Sequence, residues 1–263
     1  MMMKALVAAS IYLLASSLFV EIALADSADK NRELGRPFQE LLMKIQRLED
    51  RVDDLADENA ELKEKLACVS GDSDGYDIYI EGCNLHVRNG VGQTDSINNL
   101  GNLIIGYNED NIGTSNDRSG SHNLVVGSEH TYSSYGGFVA GSRNTISGVF
   151  ASVCGGEANK ARGDFSSVTG GGDNIAAHLL THIGGGFFNQ AIDQPYASVS
   201  GGGANLARGF MSHIAGGYDN EIHRGFASVC GGQENVANAL YSSILGGRGQ
   251  ITTSDYQTIP PIP

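Results

Sequence analysis

With 36 glycines among 263 residues, no tryptophan and only 7% aromatic residues, the chain lacks the large side chains from which one thick globular core is built. Its formal net charge of −13, from 30 acidic against 17 basic residues, excludes the clustered Lys and Arg that phosphate backbones require, so no nucleic acid partner is expected. Small residues at regular spacing suit a thin stack of backbone coils, and the acidity is read as a solubility device.

Lys4 precedes an uncharged, largely apolar run from Ala5 to Val20, then Glu21 and the small-residue pattern Ala23, Leu24, Ala25. This layout predicts a secretory signal peptide over 1–25, cleaved after Ala25. An uncleaved anchor is the competing reading, but the apolar run falls short of the ~20 residues a bilayer span needs. Nothing downstream is apolar enough to cross a bilayer as a helix. The mature chain is therefore expected without an integral membrane span, secreted or held at the cell surface, with residues 26–37 as a linker.

From Phe38 the apolar residues alternate in steps of three and four: Phe38, Leu41, Ile45, Leu48, Val52, Leu55, Asn59, Leu62, Leu66 and Val69. This heptad seam predicts a parallel coiled-coil stalk over 38–69, roughly 48 Å long at 1.5 Å per residue. Parallel pairing sets Lys44 against Glu49 of a neighbour and Glu58 against Lys63, and both pairs attract. Branched residues at a, Leu at d and a buried Asn59 by themselves favour a dimer. The segment 70–100 is read as a collar, with a β-hairpin formed by 76–81 and 84–88 turning at Gly82 and Cys83.

Four cysteines in an exported chain invite disulfides. Cys68 closes the helix and Cys83 sits in the expected turn, so the two bond either within a chain or between neighbours. Cys154 and Cys230 occupy equivalent repeat positions five coils apart, about 24 Å at ~4.8 Å per coil, too far to bond within one chain. The polar insertion 107–121 reads as a surface loop, with a cation or ligand loop as the alternative.

Residues 101–250 are the repeat region. From Asn144 the chain is seven copies of one 15-residue line, with one inserted residue in the fourth. Its consensus is Asn-x-Ala-x-Gly-x-Phe-Ser-Ser-Val-x-Gly-Gly. The apolar positions Ile104, Val125, Val139, Val153, Val168, Ile183, Val199, Ile214, Val229 and Ile244 mark about ten coils. A sustained fixed period predicts a solenoid, with two short strands and two glycine turns per coil and an Asn that stacks its amide between coils. The seventh position holds Phe150, Phe165, Leu180, Tyr196, Met211, Phe226 and Tyr241. Left in water, that stripe exceeds the apolar surface usual for a soluble monomer. It must fill the coil, face sister chains or dock a partner, and burial between chains is the preferred reading because an Ala and a Val make a thin core. Residues 251–263 read as a Pro-rich cap.

The pattern from Ser152 to Val168, S-V-x-G-G-x-x-N-x-A-x-G-x-x-S-S-V, resembles the head repeats of trimeric autotransporter adhesins of the YadA type. The resemblance covers residues 101–250. It implies a left-handed parallel β-roll with coils of about 14 residues, three chains around one axis, and a homotrimer in place of the dimer. Two features depart from that family: the coiled coil precedes the roll, and no barrel anchor follows it.

No catalytic, metal or cofactor site emerges from the sequence. The seven His form no cluster, the serines are repeat residues, and the Gly-Gly-Gly runs are coil corners without the strand-to-helix setting of a phosphate loop. A hexapeptide-repeat acyltransferase has 18-residue coils, which the 15-residue line fits badly, and the Thr ladder of an ice-binding face is missing. The expectation is a non-enzymatic, adhesin-like fibre whose partners are itself and a matrix or cell-surface ligand, the alternative being a structural spacer without a ligand.

Overall fold

A computed structural model describes residues 28–72, 74–110 and 116–260, so the expected signal peptide lies outside the described residues. The chain forms two compact units, residues 1–85 and 86–263. Among the described residues no helix is long and apolar enough to cross a membrane.

The first unit is built on α1 (Ala28–Lys65), a stretch rich in Leu, Glu, Lys, Arg and Ala, all good helix formers. Lys63 and Lys65 end it on favourable dipole charge, and Lys65 also pairs with Glu61 at 2.6 Å. The helix takes in the expected linker from Ala28 onward, with Pro37 inside it. It stops before the last seam position: Val69 belongs to β1 (Val69–Gly71), which pairs antiparallel with β2 (Ile78–Ile80).

The hairpin is thus displaced from the expected one, and residues 84–88 form no strand. Asp72 sets the observed turn by accepting the backbone N–H groups of Tyr76 and Asp77 on Oδ1 at 2.9 and 3.2 Å. Cys68 and Cys83 close the segment as an intrachain disulfide, their Cα atoms 6.1 Å apart. The collar expected over 70–100 is therefore split, its second part belonging to the next unit.

The second unit is a parallel β-solenoid. Each coil gives one strand to an eleven-stranded sheet and, from Thr131–Tyr132 onward, one to a nine-stranded sheet. From Thr145–Ile146 to Thr258–Ile259 every strand is two residues long. Register repeats the sequence period: Val153 pairs with Val168, which pairs with Ile183, while Ala161 pairs with Ala176, which pairs with Ala191. In each strand from Thr145–Ile146 to Ile251–Thr252 the second residue points inward and is buried, as the two-residue alternation of strands requires.

Four residues per regular coil point inward: the Asn, an Ala or Ile, a small residue after the aromatic position, and a Val or Ile. Among them, hydroxyl residues stand only beside the Ala of a coil. Ile146 shares its coil with Ala151 and Ile222 with Ala227, whereas Ala161, Ala176, Ala207 and Ala237 are matched by Ser166, Thr181, Ser212 and Ser242. The Ala191 coil, with Ala197, is the exception, and it contains the inserted residue.

The Asn column completes this interior. Asn174 Nδ2 donates to the carbonyls of Gly170 and Gly186 at 3.0 and 2.8 Å, while its Oδ1 accepts the backbone N–H of Asn189 at 3.0 Å. The same relay connects Asn144, Asn159, Asn189, Asn205, Asn220 and Asn235 and reaches Gln250. Buried amides with filled hydrogen-bonding capacity cost little and fix the stacking register. A coil therefore closes its own interior, contrary to the expectation that sister chains must complete it. The amide contributes both volume and bonding to a core in which only the Ala and the Val had been counted.

The corners also differ from the expected pair of glycine turns. The second glycine of each pair is left-handed, as in Gly171 at φ 85°, and in three coils the first, Gly185, Gly231 or Gly246, also has a positive φ, of 154° or 155°. Two further left-handed positions per coil carry side chains, such as Asp173 at 54° and Phe165 at 55°. Gly163 serves close approach instead, since a Cβ there would lie 2.0 Å from the His178 carbonyl oxygen.

The two ends depart from the regular coil. Ile104 pairs with Val125 but is 45% exposed, and among the described residues its coil contributes no strand to the second sheet. At the other end Ile251–Thr252 and Thr258–Ile259 pair onto the stack, so residues 251–259 form a further coil where a Pro-rich cap was expected.

Candidate functional site: the aromatic edge

The seventh position of the repeat lies at a corner, outside the core. Phe150, Phe165, Leu180, Tyr196, Met211, Phe226 and Tyr241 all have φ between 52° and 61°, a region side-chain-bearing residues seldom adopt. Bonds between coils hold them there. The N–H of Phe165 donates to the Val149 carbonyl at 2.8 Å, that of Phe226 to Phe210 at 2.8 Å and that of Tyr256 to Leu240 at 2.9 Å. The corner directs the side chains outward, with Phe165 52% and Phe226 43% exposed. Of the fates open to this stripe, filling the coil is thereby excluded.

The rings form a column along the solenoid. Phe150 and Phe165 stack with centroids 5.4 Å apart, Phe226 and Tyr241 at 4.8 Å, and Tyr241 and Tyr256 at 4.9 Å with planes 3° apart. Tyr135 caps one end edge-on against Phe150. Where Met211 occupies the repeat position, the adjacent Phe210 supplies the ring and bridges Tyr196 to Phe226. Sequence reasoning missed Tyr135, Phe210 and Tyr256. The first and last lie one period beyond the regular lines, so extending the 15-residue spacing at each end finds them.

Stacked rings cover each other's faces and leave their rims to solvent. The edge is therefore a ridge of apolar rims repeating at the coil spacing, and it offers few open faces for a flat ligand to stack upon.

The first unit carries a second uncovered stripe. Along α1 and its last turn Leu41, Leu48, Val52, Leu55, Leu62 and Leu66 are between 42% and 64% exposed, with Phe38 and Ile45 half-buried on the same seam. Asn59 is exposed and donates to the Leu55 carbonyl of its own helix at 2.8 Å. Val69, on β1, falls outside the helical seam.

The remaining candidates are spread over the solenoid. His182 and His213 each place Nδ1 beside a serine hydroxyl, Ser167 at 2.8 Å and Ser198 at 2.9 Å, on the open outer face of a sheet. His223 bonds Glu221 at 2.6 Å. Among the described residues no group of His, Cys, Asp and Glu could hold a metal. In the described part of the polar insertion Arg118 contacts Asp110 at 3.0 Å. A shallow trough of about 700 Å³ has mixed charge from Glu129, Arg143, Glu157, Lys160 and Asp173. Arg143 is bonded to Glu157, and Arg248 holds the Glu234 carboxyl below its ordinary range. Cys154 and Cys230 are free and exposed.

One histidine lies in the core. His130 is fully buried and occupies the slot that Asn fills in later coils. Its signal in the sequence is its place 14 residues before Asn144, the same interval that separates Val125 from Val139.

No protein-family model and no curated protein matches the chain. The structure shows a parallel solenoid of about 15 residues per coil.

Proposed function

We propose that the protein is an exported, non-enzymatic fibre: a parallel homotrimer with a coiled-coil stalk and left-handed β-roll heads, binding a matrix or cell surface multivalently. The supporting observation is the aromatic edge, an apolar ridge running from Tyr135 to Tyr256 outside a core that is already closed. An equivalent ridge on another copy matches its spacing coil for coil. The heptad seam of α1 supplies an independent reason for copies to meet, and connectivity then raises the local concentration of the second unit. Three identical heads let weak contacts add, which is how a regular surface without a deep site achieves useful avidity. A ligand-free spacer is the second reading, favoured by the self-closed, uniform coils.

Light scattering of the mature chain tests the assembly. The expected mass is three times that of the chain, and a well-folded monomer overturns the proposal. Binding to immobilised matrix proteins or whole cells supports adhesion; ordered fibres that bind neither support the spacer.

A further inference from the structure

From Asn144 onward the buried column is made of amides, but in the coil before it that slot holds an imidazole. His130 Nδ1 accepts the backbone N–H of Asn144 at 3.2 Å, and its Nε2 lies 3.0 Å from the Val126 carbonyl. A carbonyl only accepts, so Nε2 carries the proton and Nδ1 is bare. His122 repeats the arrangement with the nitrogens exchanged: Nε2 accepts the Asn89 N–H at 3.2 Å and Nδ1 donates to the Thr94 carbonyl at 3.1 Å. Each ring holds a neighbouring segment by accepting a backbone N–H, which only a neutral imidazole can do. Protonation would turn that acceptor into a donor facing another donor. In the later coils the equivalent N–H groups, those of Asn159 and Asn174, go to amide oxygens that do not titrate.

We infer that the amino-terminal end of the solenoid is an acid-opened joint, in which protonation of His130 frees the N–H group of Asn144 and loosens the coils preceding Asn144 while the later coils stay wound.

The surroundings of that ring favour this response. Burial holds the His130 pKa below its ordinary 6.5, with the hydrogen bond that Nε2 donates to the Val126 carbonyl opposing and the positive charge of Arg118 assisting. Tyr132, on the following strand, has its phenol pushed above 10.0 by burial and stays neutral throughout. A lowered pKa in the folded state leaves stability intact above 6.5. Below it the unfolded segment binds a proton that the folded one refuses, so stability falls until the folded value is passed.

Hydrogen exchange on the whole mature chain, corrected for intrinsic rates, tests this between about pH 7.5 and about pH 5. Protection at Asn144 is expected to fall about tenfold relative to Asn159 and Asn174, tenfold being one pH unit of linkage. His130→Asn restores the ladder amide and should abolish the loss at Asn144. Equal pH responses at Asn144 and at the Asn159 and Asn174 pair, or an undiminished loss in His130→Asn, overturn the inference. If that variant does not fold, the wild-type imidazole titration followed by NMR decides. Titration of His130 below 6.5 together with loss of the Asn144 amide bond upholds the inference, and titration at or above 6.5 overturns it.

Discussion

The Asn column is the residue-scale device on which the solenoid depends. A small polar side chain is ordinarily costly inside a core, but here each amide meets carbonyls in two coils and receives an N–H from the next. Replacing one member therefore has a definite consequence. Asn174→Ala leaves the buried N–H of Asn189 without its acceptor and removes the donors to Gly170 and Gly186, whose second carbonyl keeps the Gly172 N–H. We expect a loss of about 3 kcal/mol, one stranded donor plus net bonds, read by chemical denaturation. The line-initial Asn was legible in the sequence as a stacking residue. Its burial was not, because a turn amide in water and a core amide have the same spacing.

The elements divide into those that complete themselves and those that do not. Strands of two residues are too short to be stable singly and exist because each lies between two others in fixed register. The helix, by contrast, leaves its apolar seam open, and tertiary or quaternary burial is the main source of helical stability. Leu55→Glu places a charge in the middle of that seam. If the seam is an interface, this variant should lose helical signal in circular dichroism and shift to lower mass, while the solenoid's thermal transition stays unchanged. The heptad spacing was readable because it repeats without a slip. The hairpin at 69–80 was not, since strand pairing depends on which segment Asp72 and the Cys68–Cys83 bond bring back, and alternation alone cannot say.

At the scale of the whole molecule, the closed core and the open edge separate folding from assembly. Contacts pass only between adjacent coils, so stability accumulates along the stack, and edge residues contribute to it mainly through ring stacking. Phe226→Ser combined with Tyr241→Ser should therefore lower stability by about 1–3 kcal/mol, yet reduce the assembled mass seen by light scattering if the ridge joins copies. An unchanged mass would assign assembly to the helix alone.

The sequence by itself determined the period, the solenoid class, the inward Val and Ala columns and the helix, because each is a local spacing repeated many times. Only the tertiary structure decided that the core closes within one chain, that the seventh residue points outward from a left-handed corner, and that His130 stands in the amide column. Those outcomes depend on hydrogen bonds between residues about 15 positions apart, and a linear pattern records the spacing of such partners but not the side of the coil on which they meet.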